Sequence, residues 1–217
     1  MAGFRTHITV STLCGVGYGA AAVNPLGFPA ETAFLAAGVT AVGGMLPDLD
    51  SDSGVPVREL SGLAAAVIPL LLVPRLMAVG MTQEGVLATL GFLYLLIRYG
   101  LAFVLRRVSV HRGMFHSIPA MLIFGLLVYL EYHGEMRTRL LLAAGVMIGF
   151  LSHLVLDEIY AVDFNGVRLK LNQFAGSALK FVSPSWIGTC VCYGILSGLG
   201  FLAYLDYKEN MAGAALF

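Results

Sequence analysis

Thr138-Arg-Leu-Leu-Leu-Ala-Ala-Gly-Val-Met-Ile-Gly-Phe-Leu-Ser-His-Leu-Val-Leu-Asp-Glu-Ile-Tyr160 is the stretch that sets the fold class. It is predominantly apolar over about the 20 residues that a helix needs to cross hydrocarbon. After Thr138-Arg139 at its start, polar residues recur only near its end, at Ser152-His153 and Asp157-Glu158. His153 and Asp157 stand at i and i+4, so a helix projects both from one face. A neutral imidazole and a carboxylate placed in this way can bind one divalent ion together.

The composition agrees with a lipid solvent. The 217 residues are 58% hydrophobic and 12% charged, with a mean hydropathy of +0.84. Soluble domains are about 45–50% apolar and about 25% charged. Thirteen basic residues balance 13 acidic ones, which leaves no basic excess to hold nucleic acid. Cys14, Cys190 and Cys192 form no CxxC pair, and each sits in an apolar run. They read as packing residues without a disulfide framework.

Apolar runs predict an all-α, polytopic membrane bundle of about seven helices in one integral membrane domain over 1–217. The helices are expected at 7–23, 30–46, 61–79, 85–106, 117–133, 138–160 and 184–206. The first run has no clear cleavage site after it and is expected to be a retained helix. Asn24-Pro25-Leu26-Gly27 is a turn cluster, and Leu46-Pro47 stops the second helix. Ser117 with Pro119, and Ser183 with Pro184, have the form of a hydroxyl cap followed by proline in the first turn. Residues 161–183 are more polar and predict an interfacial loop, with a short amphipathic helix near 172–181. Gly15-x-x-x-Gly19 and Gly194-x-x-x-Gly198 predict close helix packing rather than nucleotide binding.

Counting Arg and Lys over the loops orients the chain. The side holding the N-terminus and the 47–60, 107–116 and 161–183 loops carries Arg5, Arg58, Arg106, Arg107, Arg112, Arg168, Lys170 and Lys180, against Arg137, Arg139, Lys208 and the nearby Arg75 on the other. The first side is therefore expected to be cytoplasmic. Arg98, inside the fourth span, is expected to snorkel toward that face.

The polar residues at helix ends then converge. His7 opens the first helix, Asp48, Asp50 and Asp52 follow the second, His111 and His116 flank the start of the fifth, and His153 and Asp157 end the sixth. A charged group within an apolar helix costs about 2.5–3.5 kcal/mol, and a metal compensates it, as does solvation at the interface. Solvation is the reading for Asp52 and Glu158. A divalent metal is the reading for His7, Asp48, Asp50, His111, His116, His153 and Asp157 as a set. Mixed nitrogen and oxygen ligands favour zinc, with manganese and iron as alternatives. A calcium loop starting at Asp48 fails because its glycine falls at Gly54, one place late.

Gly44-Met-Leu-Pro-Asp-Leu-Asp50, His111-Arg-Gly-Met-Phe-His-Ser117 and Ser152-His-Leu-Val-Leu-Asp157, with His7 before them, resemble the YdjM-type inner-membrane proteins. That family is described as membrane-bound metal-dependent hydrolases and, for one branch, as LexA-binding. The resemblance covers about residues 5–160. Phe115 stands where the family usually has threonine. The usual Thr-Pro-x-Gly after the aspartate is replaced by Glu158-Ile-Tyr-Ala-Val-Asp-Phe-Asn-Gly166. The ligand pattern alone, without sequence likeness, is also similar to the all-α zinc-dependent phospholipase C and nuclease group.

The resemblance implies a metal-dependent hydrolase of the inner membrane; a site at headgroup level points to an amphiphilic ester or phosphoester as the substrate, attacked by metal-activated water. Membrane lipid is the expected partner. Asp48 or Asp50 would serve as general base. Arg112 would hold a phosphate or stabilise developing charge, or it is simply one more arginine of the basic face. Two competing readings remain. One is a metal-stabilised, non-catalytic scaffold that recruits a cytoplasmic partner through 161–183. The other is a transporter, which would call for related halves and midplane charges that the sequence lacks.

Overall fold

The computed structural model describes residues 3–50, 55–101, 114, 116–164, 169–171, 180–182 and 185–214. Seven α-helices lie among them: α1 Phe4–Val23, α2 Ala30–Gly43, α3 Val55–Ala78, α4 Gln83–Leu95, α5 Ile118–Glu131, α6 Met136–Tyr160 and α7 Trp186–Ala214. Three stretches, Val57–Ala78, Met136–Tyr160 and Trp186–Asn210, are long and apolar enough to cross a membrane, and α2 and α5 are shorter apolar helices.

The chain forms two compact units, one of residues 1–47 and 113–217, the other of residues 48–112. In the first unit α6 is central, packing on α1, α2 and α5, while α7 packs on α5. Small residues allow the close contacts. A Cβ on Gly15 would stand 2.5 Å from Ala37 O, and one on Gly19 would stand 3.0 Å from Ala33 O. Gly15-x-x-x-Gly19 thus forms the α1–α2 contact expected of it. Gly194 and Gly198 do not behave in the same way: a Cβ on either meets nothing within 4 Å, so α7 makes no glycine-mediated contact there within the described residues.

In the second unit α3 packs against α4 and the π-helical turn Leu96–Leu101 that continues it. Arg98, on that turn, donates from Nη1 to Arg58 O at 2.7 Å and to Ser61 Oγ at 3.1 Å. Its guanidinium is thus held by the first turns of α3.

Several boundaries differ from expectation for local reasons. α2 ends at Gly43, not 46, because Met45 N and Leu46 N turn to i→i−3 bonds with Val42 O and Gly43 O ahead of Pro47. α3 starts at Val55, six positions early, since Pro56 suits a first helical turn. Pro69 and Pro74 stay inside the helix, as membrane helices allow. α7 runs on to Ala214, past the expected 206. Ser117 caps α5 as expected, its Oγ accepting from Ala120 N at 3.2 Å. Ser183 and Pro184 lie outside the described residues.

The segment after α6 is not simply loop. Val162–Phe164 pairs antiparallel with Leu169–Leu171, with Asp163 opposite Lys170. Residues 172–179, where most of the amphipathic helix was expected, lie outside the described residues. The chain then returns at Lys180, whose carbonyl accepts from Ile118 N at 3.1 Å.

Candidate metal centre

Three helices of the first unit bring four side chains together. α1 supplies His7 from its first turns, and α6 supplies His153 and Asp157 from its last turns. His116 comes from the turn just before the Ser117 cap of α5. All four are buried: His7 is 4% exposed, His116 6%, His153 1% and Asp157 4%.

Asp157 is the hub. Its Oδ1 lies 3.2 Å from His7 Nε2. Its Oδ2 lies 3.6 Å from His153 Nε2 and 3.9 Å from His116 Nε2. The His7 and His153 rings are stacked, with centroids 3.7 Å apart and planes 12° apart. His116 approaches His153 edge-on at 5.5 Å and 65°.

His153 shows which nitrogen faces inward. Its Nδ1 lies 2.8 Å from Gly44 O. A carbonyl can only accept, so Nδ1 carries the proton, and in the neutral ring the Nε2 lone pair points toward Asp157. This is the arrangement of a metal-ligating histidine, whose other nitrogen donates to a backbone carbonyl. Gly44 can approach because small residues line the path. A Cβ on Gly43 would stand 2.5 Å from Val146 O, and one on Gly149 would run into Thr40 O.

The donor set suits a divalent ion. Ligands 2.0–2.2 Å from a tetrahedral metal are separated from one another by about 3.3 Å. The three nitrogen–oxygen separations around Asp157 run from 3.2 to 3.9 Å. One atom each from His116, His153 and Asp157 falls within 4.8 Å of the others. The Nδ1 of His7 is buried with no hydrogen-bond partner among the described residues, a position that ordinarily costs about 1–3 kcal/mol. Its ring is therefore placed there for what Nε2 does toward Asp157.

Of the other expected residues, Asp48 and Asp50 stand on the 3-10 turn Pro47–Asp50. Asp48 is half-buried and begins the second unit. The Asp50 side chain, with His111, Arg112 and Phe115, lies outside the described residues. Two features went unread in the sequence: the Gly44 carbonyl as the partner of His153, and the His7–His153 stack. Gly44 did open one of the quoted motifs, but nothing in residue spacing reports a backbone acceptor.

No curated protein and no solved structure matches the chain. The three motifs and the four-residue cluster lie within a longer match to the profile of one family, which extends over residues 1–204. The chain belongs to the YdjM inner membrane protein family.

Proposed function

We propose that the protein is a membrane-bound, metal-dependent hydrolase acting on an amphiphilic ester or phosphoester at the cytoplasmic surface of the inner membrane. The observation that carries the metal reading is His153. Its Nδ1 is committed to Gly44 O at 2.8 Å, and its Nε2 faces Asp157 together with His7 and His116. These four residues would hold the ion, with zinc first in preference for a set of imidazoles and a carboxylate. When bound, the metal supplies a Lewis acid that lowers the pKa of a coordinated water toward about 7.

The remaining roles fall to residues tethered near the cluster by sequence. Asp48 and Asp50 follow Gly44 along one short turn and would take the proton from water as general base. His111 would add a further nitrogen ligand, and Arg112 would hold a phosphoryl or carboxylate oxygen through its guanidinium. The hydrolase assignment draws on the family resemblance. The substrate class draws on the seven-span reading, which puts the motifs at headgroup level on the side richer in basic residues.

A second reading draws support from burial. Every one of the four clustered residues is at most 6% exposed, and closed, saturated sites are typical of structural metals. On that reading the ion ties α1, α5 and α6 together, and the protein serves as an anchor for a cytoplasmic partner.

Elemental analysis of detergent-purified protein, paired with hydrolysis assays on lipid phosphoesters with and without chelator, tests both. Bound metal with chelator-sensitive turnover is the hydrolase result. Bound metal with no turnover across ester and phosphoester lipids favours the anchor. Well-folded protein without metal defeats both.

A further inference from the structure

At the opposite end of α6 from His153 and Asp157, the helix meets a different electrostatic demand. Arg137 and Arg139 stand near its N-terminus, and no acidic residue shares the first turn. Positive charge there opposes the helix macrodipole. Each guanidinium is taken up by a neighbouring segment. Arg137 donates from Nη2 to Leu26 O at 3.2 Å and lies 5.0 Å over the Phe28 ring, on the α1–α2 connection.

Arg139, only 7% exposed, serves α5 and α7. Its Nη1 lies 2.8 Å from Asp206 Oδ2, and its Nε donates to Tyr129 O at 2.9 Å. Its guanidinium also lies 4.2 Å over the Tyr129 ring. The Tyr129 hydroxyl donates to the same Asp206 oxygen at 3.0 Å. Asn210 Nδ2 adds a bond at 3.3 Å. One carboxylate on α7 therefore collects donors from α5, α6 and its own helix.

The other described side-chain contacts of α7 with neighbouring segments lie near its start, where Tyr193 donates to Phe181 O at 3.1 Å and Thr189 Oγ1 lies 3.9 Å from Met114 Sδ. Its membrane-length stretch is 6% buried, and Gly194, Gly198 and Gly200 meet nothing within 4 Å. In lipid no hydrophobic force drives one helix against another. Apolar contact with α5 therefore defines depth and rotation poorly, whereas a carboxylate with three directional donors defines both.

We propose that Arg139, Asp206 and Tyr129 form an interhelical lock that seats α7 at one depth and one rotation against α5 and α6. The lock is separate from the metal reading: residues 139 and 153 lie 14 positions apart on α6, about 21 Å at helical rise. Apolar side chains of similar volume could supply equal stability to this partly buried ion pair, whose aspartate side chain is 31% exposed, but they cannot supply its register.

The test uses the full-length protein in lipid bilayers. Spin labels are placed at Glu131→Cys on α5 and Lys208→Cys on α7, with Cys14, Cys190 and Cys192 replaced by serine. The unaltered lock gives one narrow distance distribution. Asp206→Asn and Arg139→Gln broaden it into several populations, and Tyr129→Phe, which keeps the ring and loses one donor, broadens it less. The pair Arg139→Met with Asp206→Leu keeps thermal stability but stays broad. A narrow distribution in Tyr129→Phe together with one in either Asp206→Asn or the apolar pair overturns the lock. If Asp206→Asn fails to fold, a narrow distribution in Tyr129→Phe overturns it alone.

Discussion

His7 and His153 lie face to face, their ring centroids 3.7 Å apart, although one stands near the start of α1 and the other near the end of α6. Both present Nε2 to opposite oxygens of Asp157. A deprotonated nitrogen is the form in which histidine binds a metal. His7→Ala and His153→Ala are each expected to lower metal affinity by more than the roughly 10–100-fold that losing an outer partner brings. Metal stoichiometry and competition titration on purified protein measure it, with helicity by circular dichroism as the control for folding. Unchanged stoichiometry in both variants would remove the metal reading.

Asp157 offers the sharper comparison. It faces three imidazoles from a position 4% exposed. Asp157→Asn keeps the volume and removes the charge. Metal retention is expected to fall as far as in the histidine variants, because an amide oxygen is a weaker ligand than a carboxylate for zinc. A variant that retains full metal would make Asp157 an outer partner of the histidines rather than a ligand.

Much of this arrangement is legible in the residues. The long apolar run before Ser152 marks α6, the i, i+4 spacing puts His153 and Asp157 on one face, and Ser117 with Pro119 marks the start of α5. What pairs across the fold is harder to read. Asp206 stands far from Arg139 in the chain, and neither is periodic with anything nearby, so their ion pair has no local signature. The hairpin after α6 is hard to read as well, since each of its strands has only three residues. It lies in a segment whose mixed polarity also fits an interfacial loop. Gly15-x-x-x-Gly19 and Gly194-x-x-x-Gly198 read identically, yet only the first meets a facing helix. Spacing reports that a face is smooth, not whether anything covers it.

Removing the metal is expected to loosen the bundle as well as the site. The ion would join α1, α5 and α6, and a ligand bound only by the folded state stabilises it by about 2.7 kcal/mol at a hundredfold excess over its Kd. Chelation should lower the thermal unfolding midpoint in detergent, and added zinc should restore it in proportion to the logarithm of its free concentration. A midpoint insensitive to chelator in protein shown to have lost its metal would mean that the helices hold without it.

Covered and uncovered glycine faces separate by substitution. A methyl group on Gly149 would meet Thr40 O, whereas one on Gly194 meets nothing within 4 Å. Gly149→Ala is expected to destabilise by at least the 1–3 kcal/mol typical of overpacking, and to weaken metal binding by shifting α2 and the Gly44 carbonyl that orients His153. Gly194→Ala should stay within about 0.5 kcal/mol, as substitutions away from contacts do. Thermal unfolding of both variants decides it. Equal losses would mean that the Gly194 face is covered by something other than lipid.

Ser117 joins the cap of α5 to the placement of His116. Its hydroxyl donates to Met114 O at 2.5 Å and accepts from Ala120 N at 3.2 Å, in a side chain with no exposure. Alanine there loses a helix cap, about 1 kcal/mol, and leaves Met114 O without that donor. The turn that carries His116 then has one fewer restraint beside the ligand. Ser117→Ala should therefore lower the unfolding midpoint modestly and weaken metal binding by roughly tenfold, the lower end of outer-partner effects. Ser117→Thr keeps the hydroxyl and should recover both. Loss of stability with unchanged metal affinity would show that His116 is positioned by packing alone.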